Sequence, residues 1–371
     1  MKKIITLLTI SILLIGCTNK EEEITKNIFA MDTYIQVKLY KNTNTNKDIL
    51  ENINNMYLEY DKLCDMYNQY DNVVNVYYLN EILENDKEIT IDKKLSELIK
   101  YSIESYNKTD GYFNPAIGNI TLMWHNYLQN SKVPKEEELS NSGSTNIEDI
   151  ILTDTTYKKK NNVKLDLGGI CKGYTTQVAG DYLELLGIKS YLINAGGNVK
   201  VGSHYNNDKY TIGIQDPSTN DILTKVYGEN ISVVTSGDYQ RYYEVEGIKY
   251  NHIINPKTNT PSNQNTSVTI ITPSSSYGDI MSTYLFMQDK DTILNIVDNT
   301  PDIEAIIVDK KGNITKSKGF TNYEEKWYHT NNLPLNNKPN WNYIYKYLFQ
   351  RFQNCIRLLR QQRNPKNTSK Y

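Results

Sequence analysis

Nine residues constrain this chain more than any others. Asp166-Leu167-Gly168-Gly169-Ile170-Cys171-Lys172-Gly173-Tyr174 packs three glycines, a carboxylate and a lysine into one short stretch. Upstream, Val163, Leu165 and Leu167 alternate with Lys164 and Asp166, the period-two pattern of a half-buried strand. Downstream, Val178, Tyr182, Leu183 and Leu186 recur at helical intervals from Tyr174 onward, and Gly187 stands where a helix would close. The pattern predicts a strand-to-helix turn. Such a turn aims backbone N–H groups, the positive end of a helix dipole and a lysine at one place, which suits a phosphate or pyrophosphate. A glycine pair beside a lysine also occurs in ordinary loops. The order of residues excludes both a Walker A loop and a Gly-x-Gly-x-x-Gly fingerprint.

A second glycine turn follows. Tyr191 to Asn194 reads as a strand that enters Ala195-Gly196-Gly197-Asn198, and Tyr210 to Ile214 reads as another strand. Two glycine pairs at the ends of neighbouring strands could hold the two ends of a dinucleotide, although strand crossings use such glycines too. Amphipathic helices are expected from Lys47 to Tyr70 and from Leu95 to Thr109, a further helix from Thr292 to Val297, and a strand from Glu304 to Asp309. The polar segment Gln129 to Asn146 reads as a surface excursion. With 371 residues the chain can bury a full core, and a net charge of −2 argues against a generic nucleic-acid binder.

The two ends differ from the middle. Lys2 and Lys3 precede an apolar run from Ile4 to Ile15, and Leu14-Ile15-Gly16-Cys17 follows. A positive start, a run too short to span a bilayer and a small residue at the cut describe a secretory signal, and cysteine at the next position resembles a bacterial lipobox. The expectation is a signal peptide over 1–16, lipidation at Cys17, a polar tether over 17–27, and a protein held on the outer face of the cytoplasmic membrane. At the other end, residues 341–371 hold seven Lys or Arg and no acid. There Trp341, Ile344, Tyr345, Leu348, Phe349, Phe352, Ile356 and Leu359 recur at helical spacing. A basic amphipathic extension over 321–371 could lie on anionic lipid, dock on the protein or a partner, or have no role. Cys64, Cys171 and Cys355 form no disulfide framework or zinc spacing, so no bridge is expected.

Segments spread in order along the chain resemble one family. Asp166 to Tyr174 is similar to Asp-Leu-Gly-Gly-Ile-x-Lys-Gly-Tyr of the FAD:protein FMN transferases, the ApbE family. Met31-Asp32-Thr33 matches Met-Gly-Thr with Asp32 in place of glycine. Tyr70 to Asn80 matches Tyr-x-x-x-Ser-x-Ile-x-x-Leu-Asn with Val74 in place of the first serine. Gly111 to Gly118 matches Gly-x-Phe-Asp/Asn-Pro-x-Val-Gly, and Gly196-Gly197-Asn198 matches Gly-Gly-Asn/Asp. Thr235-Ser236-Gly237-Asp238-Tyr239-Gln240-Arg241, with His252-Ile253-Ile254-Asn255-Pro256-Lys257-Thr258-Asn259-Thr260-Pro261, resembles the most specific double motif. In it Asn255 replaces Asp and Asn259 replaces Gly; asparagine tolerates positive φ, so the turn should survive the second change. The run Ser275 to Thr283, with Asp279, Ser282 and Thr283 in register, resembles Ala-Asp-x-x-Ser-Thr at a helix start.

The resemblance implies an α+β, ApbE-like flavin transferase fold over residues 28–320, with mixed sheets and packed helices. It implies FAD as substrate, contacted by Met31, Tyr70 (stacked on the adenine), Asp166, Gly168, Gly169, Lys172, Gly196, Gly197 and His252. It implies Mg²⁺ on Asp279, Thr283 and the backbone carbonyl of Cys171, with His252, Asp279 and Lys172 catalytic. A histidine accepts protons near neutral pH, although a lone one is more often structural. The expected reaction moves FMN from FAD to a Ser or Thr hydroxyl of an acceptor protein, typically a subunit of a membrane redox complex. FAD hydrolysis to FMN and AMP, and simple FAD binding, are the alternatives.

Overall fold

The computed structural model describes residues 23–40, 47–206, 208–219 and 221–324. Cys17, Cys355, the signal sequence and the basic extension from 325 onward lie outside the described residues, as does His329. Eight strands form one antiparallel sheet whose spatial order is also their chain order: Glu23–Ala30, Thr33–Tyr40, Tyr191–Ala195, Asn198–Val201, Ile231–Gly237, Asn265–Thr272, Glu304–Asp309 and Ile314–Lys316. Each is antiparallel to the next. The first strand opens at Glu23, so residues 23–27 belong to the sheet and not to the expected tether. The strand Asn265–Thr272 is apolar on both faces: Val268 and Ile270 pack against helices, and Ile271 packs against the strand pair Tyr210–Gln215 and Ile222–Gly228.

Three helices carry the argument: α1 (Lys47–Cys64), α2 (Cys171–Leu185) and α3 (Ser275–Phe286). In α1 the apolar residues Leu50, Ile53, Tyr57, Tyr60 and Leu63 share a buried stripe. The helix stops at Cys64, six residues short of the expected end, because the Asp65 carboxylate accepts from the N–H groups of Tyr67 and Asn68 and turns the chain. α1 and α2 run antiparallel. Asn52 Nδ2 donates to the Tyr182 hydroxyl at 2.8 Å, the Tyr57 and Thr176 hydroxyls pair at 2.8 Å, and Cys64 is joined to Cys171 by a disulfide. That bond overturns the expectation of no bridge. The cysteines are 107 residues apart, and only the helix packing brings them together, with Cα atoms 6.5 Å apart.

The segment before α2 is extended as the alternation predicts, with Val163, Leu165 and Leu167 fully buried. It is not a ladder strand. Its partners are the Asn80 side chain, which accepts from Leu165 N–H and donates to the Leu165 carbonyl, the Pro115 carbonyl, and a single parallel bridge from Lys164 to Ile117. α3 begins behind the Ser274 cap, as expected for a helix starting near Ser275. It lies on strands Ile231–Gly237 and Asn265–Thr272 and against α2. The turns after Ala30 and Ala195, the end of the strand Ile231–Gly237 and the two helices therefore converge along the edge of the sheet formed by its strand ends.

Candidate active site

At that edge lies a cleft of about 800 Å³, within the range of small-molecule sites. Residues from distant parts of the chain line it: Met31, Asp166, Gly168, Gly169, Cys171, Lys172, Gly196, Gly197, His252, Asp279 and Thr283. Eleven predicted site residues are thus brought together. A smaller hollow of about 450 Å³ near Lys209, Asp302 and Glu304 holds none of them.

The N-terminus of α2 faces the cleft. Asp166 Oδ1 accepts from Gly168 N–H at 2.8 Å and fixes the turn. Gly169 stands beside Thr283, whose hydroxyl lies 3.7 Å from where a Gly169 Cβ would be. Asp279 is nearly buried and is held twice: Oδ2 accepts from Gly173 N–H at 2.6 Å, and Oδ1 lies 3.3 Å from Lys172 Nζ. Gly173 has no room for a side chain, since a Cβ there would come within 2.4 Å of Asp279 Cβ. Asp279 and Thr283 are four apart on α3 and both reach the cleft. A carboxylate, a hydroxyl and the neighbouring Cys171 carbonyl are hard oxygen donors, the chemistry Mg²⁺ prefers. The carbonyl also accepts from the Thr175 hydroxyl at 2.8 Å.

His252 sits across the cleft. Its Nδ1 is 3.2 Å from the Arg241 carbonyl oxygen, which can only accept, so Nδ1 carries the proton and Nε2 is free as a base. The ring is accessible from the cleft yet closely surrounded by protein. Desolvation first, then the positive charges of Arg241 and Lys172, push its pKa down to about 4. The imidazole is therefore neutral at physiological pH.

The Met31–Asp32 turn forms a rim. Both residues have positive φ, 54° and 53°, as a two-residue hairpin turn requires. Asp61 accepts from Met31 N–H at 2.8 Å, and Arg241 donates to the carbonyls of Met31 and Asp32. Burial raises the pKa of Asp61.

Tyr70 is not among the lining residues. Its hydroxyl donates to Asp65 at 2.8 Å, while Tyr67, three residues earlier, faces the cleft and packs on the His125 ring with centroids 4.7 Å apart. The early end of α1 shifts which tyrosine is presented, and one of 31 tyrosines carries no sequence mark of that shift. Asp61 and Cys64 are equally unmarked, while Arg241 closes the Thr235–Arg241 motif. Asn255 does not bond to His252; its side chain accepts from Lys257 N–H at 2.9 Å, and Asn259 has the positive φ, 56°, expected of it. The two substitutions therefore keep a turn.

Fold and site define a protein that places a helix N-terminus, a lysine, hard oxygen donors and a neutral histidine around a cleft sized for an organic phosphate. A family model described as the ApbE family matches residues 31–307, and the chain belongs to that family. The FAD:protein FMN transferase of Klebsiella pneumoniae strain 342 is 31% identical over 236 residues, 62% of this chain and 73% of that protein. The FAD:protein FMN transferase of Treponema pallidum is 26% identical over 253 residues, 62% and 70% of the two chains. The crystal structure of the ApbE protein of Thermotoga maritima superposes with a TM-score of 0.74 at 27% identity, covering 83% of this chain and all of that one.

Proposed function

We infer that this protein is a FAD:protein FMN transferase, a flavinyltransferase acting on FAD and an acceptor protein. One observation carries the reading: Lys172, Asp279, Thr283, His252 and both glycine turns, spread over much of the sequence, line a single cleft. In the finer reading the acceptor's Ser or Thr hydroxyl attacks the FMN phosphorus of FAD, the bond to the AMP oxygen breaks, and FMN remains on the acceptor as a phosphoester. The chemistry then rests on positioning and charge stabilisation. His252 Nε2 accepts the hydroxyl proton. Lys172 and the N–H groups at the start of α2 neutralise charge on the phosphates. Asp279, Thr283 and the Cys171 carbonyl would hold Mg²⁺, which when bound supplies charge neutralisation at the bridging oxygens.

Lipidation at Cys17 and work on the outer face of the membrane complete the proposal, supported by the Leu14-Ile15-Gly16-Cys17 sequence. The acceptor is an FMN-binding domain of a membrane redox complex. The test mixes the protein with FAD, Mg²⁺ and such a domain and weighs the acceptor by intact mass spectrometry. A gain of one FMN less water, lost in EDTA, is expected. Free FMN and AMP with an unmodified acceptor would instead make the protein a hydrolase, and retention of intact FAD would make it a binder.

A further inference from the structure

We propose that Cys64 is a positioning residue for FMN transfer, acting through its disulfide to Cys171; the proposal rests on the functional reading above. Cys171 is the first residue of α2 and belongs to the Gly168–Lys172 turn, which faces the cleft. From the α1 side the turn meets the apolar side chains of Tyr60 and Leu63, and the disulfide is the one covalent tie between them among the described residues. Ile170 and Cys171 N–H groups bond back to the Leu167 carbonyl within the turn itself. The Asn52–Tyr182 and Tyr57–Thr176 contacts lie further along α2, and the disulfide is the last rung of that series, at the cleft.

The bond also fixes the other wall. Cys64 ends α1, and the next residues, Asp65, Met66, Tyr67 and Asn68, line the cleft. Asp61, one helical turn before Cys64, holds Met31 N–H at the rim. A single covalent link thus sets the distance between the α2 N-terminus, which offers N–H groups, Lys172 and the Cys171 carbonyl, and the wall that carries Tyr67 and the Met31 turn. Cys171 is 4% exposed and packs among Tyr60, Leu63, Ile170 and Tyr174. Without the bond, two thiols would still fill this space, so the core persists while the fixed spacing is lost.

The link is reversible. A small dithiol gives its two S–H hydrogens and two electrons: the Cys64–Cys171 bond breaks, each sulfur gains a hydrogen, and the reductant leaves as a cyclic disulfide. Activity would therefore depend on an oxidising setting, in keeping with the proposed location outside the membrane.

The experiment uses the full-length protein as isolated and after dithiol treatment. Alkylation under denaturing conditions with mass mapping gives the state of Cys64 and Cys171. FAD affinity is read without metal from flavin fluorescence, the KM for FAD and kcat from the acceptor assay, and the melting temperature in parallel. Expected are a bridged pair in the isolated protein, FAD affinity weaker by about tenfold on reduction, and recovery on reoxidation, the size typical of lost positioning contacts behind a site. Cys64→Ser should match the reduced protein and stay insensitive to redox state. Free thiols in the isolated protein would overturn the proposal. So would unchanged FAD affinity and KM in either the reduced protein or Cys64→Ser, even with a lower melting temperature, since that describes a stability element alone. If the oxidised protein transfers no FMN, the functional reading fails, and the FAD affinities still decide the role of the bond.

Discussion

Two glycine pairs face the same cleft, and they are glycine for different reasons. Gly196 and Gly197 have φ of 54° and 88°, and a Cβ on Gly196 would lie 1.9 Å from the Thr33 hydroxyl. The backbone itself demands glycine there. Gly168 and Gly169 lie outside the left-handed region, and the nearest atom to a Gly169 Cβ would be Phe113 Cε2 at 3.3 Å. The protein around Gly169 asks only for a small adjustment to admit a methyl group. What a methyl group there would remove is the room for a ligand to come close to the backbone N–H groups. The first pair answers to the fold, and in the proposed function the second answers to the substrate.

The largest effect tests the partner that the second turn holds. Asp279 is bound by Gly173 N–H and Lys172 at the start of α2. Asp279→Ala should lower transfer by on the order of 10² to 10³, the cost of removing one preorganised group around developing charge. Its melting temperature should move little by comparison with its rate. Normal flavinylation of the acceptor by this variant would remove Asp279 from the site.

Gly196→Ala attacks the first pair. Positive φ and the approach to Thr33 predict a loss of roughly 1–3 kcal/mol in stability, read by denaturant unfolding. Gly169→Ala should do the reverse. With φ in an ordinary region, alanine restricts the unfolded chain and should leave stability unchanged or raise it by about 0.4–1 kcal/mol. FAD binding should nevertheless weaken by about tenfold, near 1.4 kcal/mol. If Gly169→Ala binds FAD normally, the distinction between the two turns collapses.

The same contrast explains what the sequence made legible. Both glycine turns and the strands at Tyr191 and Glu304 follow from local spacing, while the helix start near Ser275 and the eleven named site residues that share the cleft come from the family resemblance. What escaped depends on tertiary placement. The alternation of Val163, Leu165 and Leu167 reports burial correctly, but a side chain, Asn80, supplies the hydrogen bonds that a neighbouring strand would give. The Cys64–Cys171 bond depends on two helices aligned over 107 residues of separation. Tyr67 lines the cleft and Tyr70 does not, where Asp65 ends α1 early, a competition between side-chain capping and helix that periodicity does not weigh.

The smallest effect concerns the wall opposite the glycines. A base must be unprotonated to work, so activity that needs neutral His252 falls as pH drops through its pKa. With that pKa near 4 and not 6.5, kcat/KM, which reports the free enzyme, should be level in this group through neutral pH and fall only in acid. Arg241 contributes to the depression by its charge, and its carbonyl orients the ring. Arg241→Gln keeps the carbonyl and removes the charge. The acid limb should therefore move upward in pH, while the KM for FAD rises because the guanidinium no longer holds the Met31 and Asp32 carbonyls. An acid limb that stays in place would mean that desolvation alone sets the basicity of His252. A limb already centred near 6.5 in the unaltered protein would mean that water in the cleft hydrates the ring enough to cancel the desolvation by the surrounding protein.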